Sequence, residues 1–346
     1  MHLFFHIGSP KAGSTTIQSA LRRNAPALAR QGVLAWEPSS GRSPPARVLA
    51  NAFVSANKPL LPRERLHFND RAAATAWSLE NWDRLEALVA ETKPELTILS
   101  SESFFDMPGA RRVAEKLRSI FDGVTIFAYV RDPVSQYRSM LDQRIRDGER
   151  FAELPSPSVM VQLGFDVIAR YRAQLGQENV IVRSFDRSNL AGGDLLTDFF
   201  GHVSTVLGRP LDVDPRVPPA NESLCAAATL WLMGANEVFI RFGKNDSEVI
   251  ERRLELIRRL GVDPDLAALS KLRDPVGPIA DWVRHANREA ITYFNTVMLQ
   301  GQVPLQQAPE GVTVPDEEEV RAAMRAWLLS HLKDDELSLV LQRTVT

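Results

Sequence analysis

The opening of the chain permits few folds. His2-Leu-Phe-Phe-His-Ile7 is a short apolar run that passes directly into Gly8-Ser-Pro-Lys-Ala-Gly-Ser-Thr-Thr16, a turn with two glycines, one lysine and three consecutive hydroxyls. Ile17-Gln-Ser-Ala-Leu21 then reads as the start of a helix. Strand, glycine turn and helix in this order aim backbone N–H groups and a helix N-terminus at one point, which suits a phosphate. A lysine in a surface turn is ordinarily just solvated, but within this glycine frame Lys11 is a candidate for neutralising a bound anion. N-capping would need one hydroxyl of Ser14, Thr15 and Thr16, not three. Thr16 could instead face the core.

A second segment points the same way. Val124-Thr-Ile-Phe-Ala-Tyr-Val130 reads as a buried parallel strand. Arg131-Asp-Pro-Val-Ser-Gln-Tyr-Arg-Ser139 follows, with Asp132 placed to cap a helix and Pro133 suited to its first position. Ser135 and Ser139 would share a face of that helix. Arg131 either caps the sheet edge or joins Ser139 on one anion, where its fork of donors outdoes a lysine. Arg138 is a less certain third cation, more simply solvated on an exposed face.

In the P-loop of ATP- and GTP-hydrolysing proteins a lysine followed by Ser or Thr closes the loop. Here Ser14 follows Gly13, and the only lysine comes earlier, at Lys11. The displaced pattern resembles the 5′-phosphosulfate loop of sulfotransferases that use 3′-phosphoadenosine 5′-phosphosulfate (PAPS). Arg131 with Ser139 is similar to the family's 3′-phosphate motif. The resemblance extends through Glu178-Asn-Val-Ile-Val-Arg-Ser-Phe185 and Asn221-Glu-Ser-Leu224, over roughly the first two thirds of the chain. Ala12 departs from the family, which often has a hydroxyl there.

What the resemblance implies is specific. Lys11, Ala12, Gly13, Ser14, Thr15 and Thr16 would bind the 5′ end of PAPS, with Lys11 also catalytic, while Arg131 and Ser139 would hold the 3′-phosphate. Glu102, in the run Ser100-Ser101-Glu102, would be the second catalytic residue, taking the proton from an acceptor hydroxyl. Its plainer role is pairing with Arg111 or Arg112 near a helix start. To act as a base it would need its proton affinity raised, for instance by burial against Phe104 or Phe105.

Among the six histidines, His67 is the rival base, and His6 within the first strand reads as a satisfied core residue. None pairs with another at ligand spacing, so no metal is expected. Trp36, Trp77 and Trp82 could form a ring platform but are more simply core. The single cysteine, Cys225, excludes an intrachain disulfide and reads as a small buried hydrophobe.

With 44% hydrophobic residues and a net charge of −2, the composition is that of an ordinary globular protein without a nucleic-acid surface. The N-terminal apolar run is too short for a signal peptide or membrane span, so the chain is expected to be cytoplasmic. Strands are expected at 2–7, 96–100, 124–130 and 179–185. Helices are expected at 14–31 (bent or split at Asn24 and Pro26), around 77–89, and at 109–121, 133–147, 158–175 and 193–207. This alternation implies an α/β fold with a parallel, doubly wound sheet flanked by helices, and the resemblance makes it P-loop-like. Residues 37–71, rich in proline, read as an irregular excursion over the nucleotide or acceptor cleft. A soft boundary near 215 separates the PAPS-binding core, 1–215, from a helical extension, 216–346, which holds the amphipathic run Glu248–Leu260 and the acid-led helix start at Asp316.

The expected function is transfer of a sulfuryl group from PAPS to a hydroxyl of a small molecule or glycan, releasing 3′-phosphoadenosine 5′-phosphate and needing no metal. The alternatives are a P-loop small-molecule kinase using Mg-ATP, for which Asp132 comes closest to a metal-binding aspartate, and a non-catalytic nucleotide-binding protein of the same fold. A homo-oligomer is left open.

Overall fold

The computed structural model describes residues 1–9, 11–38, 49–60, 64–65, 67–105, 109–159, 164–216, 223–242 and 247–345. Pro10, Asn221, Glu222 and parts of the 37–71 excursion lie outside the described residues, as does the middle of the expected helix start at 158–164.

In chain order the elements are β1 His2–His6, α1 Ser14–Arg30, β2 Val33–Ala35, α2 Arg71–Thr92, β3 Leu96–Ser100, α3 Ala110–Ile120, β4 Gly123–Val130, α4 Pro133–Asp147, α5 Phe165–Leu175, β5 Val180–Ser184 and α6 Leu195–Leu207. There follow α7 Ala226–Phe239, α8 Ser247–Val262, the single turn α9 Pro264–Ala267, α10 Pro278–Ala286, α11 Arg288–Tyr293, α12 Glu317–Leu329 and α13 Asp334–Val345. The chain forms two compact units: residues 1–131, 162–220 and 293–305, and residues 132–161, 221–292 and 306–346. Residues 132–161, grouped with the α/β core on sequence, thus fall in the second, helical unit.

The first unit is built on a five-stranded, wholly parallel sheet in the order β2-β3-β1-β4-β5. Helices flank it, giving an α/β architecture. β1 is central, pairing His6 with Ser100 on one side and Phe127 on the other. Both of its faces are therefore covered, and Leu3, Phe4, Phe5 and His6 are fully buried. Phe4 packs with Phe127 and Phe199 on one face, while Phe5 meets Phe104 on the other. The connection leaving β1 leads toward β2 on one side of the sheet, and β5 lies on the other side beyond β4. The carboxyl ends of β1 and β4 accordingly bound the switch point where ligands of open α/β sheets bind.

One local expectation changes, and one short strand was not expected. α1 runs unbroken through Asn24 and Pro26. Asn24 Nδ2 donates to Ala20 O and to Asp214 O, both at 2.9 Å, and its Oδ1 accepts from the Asp214 N–H at 2.8 Å. That side-chain clamp holds the turn where proline removes a backbone donor. β2, only three residues long, had no detectable period.

Parts of the 37–71 segment are firmly held. Leu49–Phe53 is a 3₁₀ turn, and Trp82 Nε1 donates to Leu49 O at 3.0 Å. Arg71, the first residue of α2, is buried and donates to Asn51 Oδ1, Lys58 O, Pro59 O and Glu64 Oε2 at 2.8–3.1 Å. Trp77 packs on Phe68, so two of the three tryptophans have structural roles.

The second unit is helical. Tyr137, Leu141 and Ile145 form one stripe of α4 and pack with Leu230, Val283 and Met324 of α7, α10 and α12. Asp132 caps α4, Asp316 caps α12, and Cys225 Sγ at the start of α7 accepts from Ala228 N at 3.4 Å. Arg138 is not a solvated cation: its Nε lies 2.9 Å from Asp274 Oδ1. Among the described residues no helix is long and apolar enough to cross a membrane.

The Arg71–Glu64 pair is nearly water-free, with side chains 9% and 4% exposed. Arg71→Met should therefore destabilise the protein by about 3–5 kcal/mol, because it takes the cation away from a buried carboxylate. Denaturant unfolding of Arg71→Met against Arg71→Met/Glu64→Leu checks this: the double variant should recover most of the loss, and equal instability of the two would refute the account.

Candidate functional site

Three backbone constraints shape the loop between β1 and α1. Gly8, Lys11 and Gly13 all have positive φ, at 26°, 65° and 82°. Glycine tolerates this readily; lysine does so at a cost of about 1 kcal/mol or more. At Gly13 a Cβ would collide with the Leu195 side chain and stand 3.4 Å from the Phe185 ring. At Gly8 it would stand 2.6 Å from Ser14 Oγ and 2.8 Å from the His6 ring. The loop is closed by Ala12 N donating to Ser9 O at 3.1 Å, and Ser9 N donates to Tyr129 O of β4 at 3.3 Å.

α1 starts at Ser14, with Gly13 as an N-cap that has no side chain to offer. Its first-turn N–H groups thus meet no side-chain cap, the usual condition of an anion-binding helix end. Ser14 is buried, Thr15 exposed and Thr16 half-buried. Ala12 is fully buried among Ile17, Leu196 and Phe199, so its methyl group faces the core.

Arg131 joins the loop from the end of β4. Its Nη1 donates to Lys11 O at 3.0 Å, and its guanidinium carbon stands 5.8 Å from the centre of the Phe185 ring. Phe185 N in turn donates to Val130 O at 2.7 Å as β5 runs out beside β4. Lys11, Gly13, Ser14 and Arg131 are thereby brought to one end of the sheet, with Phe185 and Leu195 as supports that the sequence reading missed. Ser139, the expected partner of Arg131, is buried on α4 in the second unit. Asp132 Oδ1 accepts from Val134 N and Ser135 N at 3.0 and 3.3 Å, which is the N-cap role.

Glu102 opens a single 3₁₀ turn immediately after β3 and is half-buried. Arg111 pairs with Glu115, and Arg112 donates to Phe53 O, so neither takes the plainer role expected for them with Glu102. Phe104 and Phe105 are fully buried, Phe104 against Phe5 and Phe53, Phe105 beside Gly164. Ser101 N donates to His6 O at 2.9 Å, anchoring this turn to β1. His67 lies in a turn closed by its N–H to Glu64 O at 2.9 Å.

A second carboxylate emerges only in three dimensions. Trp36, Glu37 and Pro38 follow β2 and line a recess with Gln18, Ser100 and Ser101, the last of these adjacent to Glu102. Burial pushes the Glu37 carboxyl above its ordinary pKa, against the pull of Arg22 Nη1 2.7 Å away. Trp36 lines this recess.

His6 departs from the satisfied core histidine expected of it. Nδ1 lies 2.8 Å from Ser100 Oγ, but among the described residues the buried Nε2 has no partner. Ser9 Oγ and Ser14 Oγ are likewise buried with no partner among the described residues. Three such atoms around one loop are unusual, since buried polar groups are nearly always satisfied.

No family model matches the chain, and no curated protein matches it. Among solved structures it is similar to a sulfotransferase from Alicyclobacillus acidocaldarius, at 14% identity and a TM-score of 0.35, over 73% of this chain and 95% of that one. A likeness of that degree carries no argument about activity.

The Gly13 geometry is directly testable. Gly13→Ala combines a left-handed backbone with a collision against Leu195 and should cost about 1–3 kcal/mol in urea unfolding. Adding Leu195→Ala should relieve the steric part only, leaving Gly13→Ala measurably less unfavourable in that background. Unchanged stability of Gly13→Ala would show that the loop relaxes freely.

Proposed function

We propose that the protein is a sulfotransferase that uses PAPS and modifies a hydroxyl acceptor. The observation that carries this is the loop itself: an uncapped helix start, a lysine in a strained backbone, buried unpartnered Ser9 and Ser14 hydroxyls, and an arginine from the neighbouring strand tied to the same loop. These donors suit an anion richer in charge than a lone carboxylate.

In this reading the acceptor oxygen attacks sulfur as the bond from sulfur to the bridging oxygen breaks. The negative charge left on the 5′-phosphate is met by Lys11 and by the donors of Gly13, Ser14, Thr15 and Thr16. The rate gain comes from fixed dipoles and alignment rather than a covalent intermediate. Arg131 is assigned to the 3′-phosphate; a guanidinium carries five donors, so holding Lys11 O and contacting an anion are compatible. Glu102 is assigned to take the acceptor's proton. A specific observation favours Glu37 as a second reading, because burial has already raised its proton affinity and it lines a recess that reaches Ser101.

Calorimetric titration with 3′-phosphoadenosine 5′-phosphate, against ATP and ADP with Mg²⁺, tests the donor class. Metal-independent preference for the bisphosphate is expected; binding of Mg-ATP alone would make a kinase the better account. Arg131→Ala should weaken bisphosphate binding about 10- to 100-fold, the worth of a charged hydrogen bond. Lys11→Ala should lower turnover more than it weakens binding. Once an acceptor is found, Glu102→Gln and Glu37→Gln should differ, the true base losing about 100-fold or more in turnover.

A further inference from the structure

A histidine inside a parallel sheet is costly unless its ring nitrogens are satisfied. His6 stands at the end of β1, opposite Ser100 of β3 in the register, with no exposed surface. Phe127, Tyr129 and Phe199 surround its ring at centroid distances of 5.7–6.2 Å. A leucine or phenylalanine would fill that space without any polar penalty. Yet only one ring nitrogen serves the fold: Nδ1 is 2.8 Å from Ser100 Oγ.

The other nitrogen is directed at the loop. Nε2 lies 2.9 Å and Ser14 Oγ 2.6 Å from where a Cβ on Gly8 would stand, so both border the small space that this glycine keeps open. Both atoms are buried and have no partner among the described residues. Desolvation holds the His6 pKa down at about 3, so the ring is neutral and carries a single N–H. Which nitrogen bears it depends on the direction of the Ser100 contact.

We propose that His6 is a positioning residue for the anion loop: Ser100 Oγ–H donates to Nδ1, which leaves Nε2–H facing the space it shares with Ser14 Oγ, and when an anion binds, Ser14 turns to accept from Nε2–H and aims its own proton at the anion. A hydroxyl has one proton and can accept at the same oxygen, so receiving a hydrogen bond from His6 leaves Ser14 as an outward donor. The chain of three groups runs in one direction and each bond polarises the next. It also ties the loop to β3, the strand that leads into Ser101 and Glu102. The proposal deepens the sulfotransferase reading and depends on it only for the identity of the anion.

The test separates the two ring nitrogens. Asn at position 6 can imitate Nδ1, and Gln can reach where Nε2 stands. Calorimetric titration of the full-length protein with 3′-phosphoadenosine 5′-phosphate should show His6→Asn weakened about tenfold or more, the scale of a hydrogen bond to a charged group. His6→Gln should restore most of the affinity. Ser14→Ala should add little in the His6→Asn background, since both changes remove the same donor. Equal losses in the Asn and Gln variants, or full additivity with Ser14→Ala, would reduce His6 to packing and overturn the proposal. An independent readout is ¹⁵N NMR of the wild-type imidazole without ligand. Protonation at Nε2 is required, and protonation at Nδ1 would overturn the assignment. Failure of the wild type to bind the bisphosphate, with the Nε2–H tautomer observed, would instead remove the sulfotransferase reading and leave the His6 chain standing for another anion.

Discussion

β1 is hydrogen-bonded along both edges and covered on both faces, and the rest of the first unit depends on that confinement. A strand so placed can leave the sheet only at its end, between the exits of β3 and β4. Ser101 N on His6 O and Ile7 N on Phe127 O hold the two neighbours against it as it leaves. The chain must then turn sharply enough to start α1, and it does so through positive φ at Gly8, Lys11 and Gly13. Leu195 and Phe185 pack where side chains at Gly13 would project, which keeps the turn from relaxing. The strain at Lys11 follows from this geometry, and strained backbone that persists in a rigid setting is typical of functional loops.

The same confinement explains why polar groups collect at this end of the sheet. The middle of β1 carries Leu3, Phe4 and Phe5, and the fully buried polar side chain His6 follows at the end of the strand, one residue before the exit. Its register partner is Ser100, the last residue of β3. Tyr129, two residues from the exit of β4, is likewise held by Asp198 at 2.7 Å, and Arg183 of β5 meets the same carboxylate at 2.9 Å. Parallel strands place all their carboxyl ends together, so residues distant in sequence converge there without any further device. Arg131, Phe185, Ser101 and Glu37 reach the neighbourhood in this way, each at or just beyond a strand end.

Much of this was legible in the residues. β3 was expected at 96–100 and lies there, and β4 and α4 match to within a residue, because β-branched runs and an Asp-Pro cap are local signals. The loop was recognisable because glycine spacing and a lysine are also local. The misreadings have a common cause. α1 survives Pro26 because Asn24 reaches Asp214, almost two hundred residues away. Arg138, which looked solvated, meets Asp274. Glu37 drew no notice because the strand before it has three residues, and its raised proton affinity comes from neighbours that folding supplies. His6 looked like a satisfied core residue, and only the positions of Ser14 and Gly8 show that one nitrogen is not.

What the sequence determined alone was the set of local preferences: buried strands, capped helices, a glycine turn able to adopt a left-handed backbone, and the presence of Lys11 and Arg131 after two such strands. These follow from steric and hydrogen-bonding rules that act over a few residues, so they can be read without coordinates. Only the tertiary structure decided which strand ends meet, that Arg131 holds the carbonyl of Lys11, that α4 belongs with the helical unit, and which polar atoms are left buried without partners. Those outcomes depend on strand order and register, which are set by the packing of the whole unit and leave no mark in any one segment.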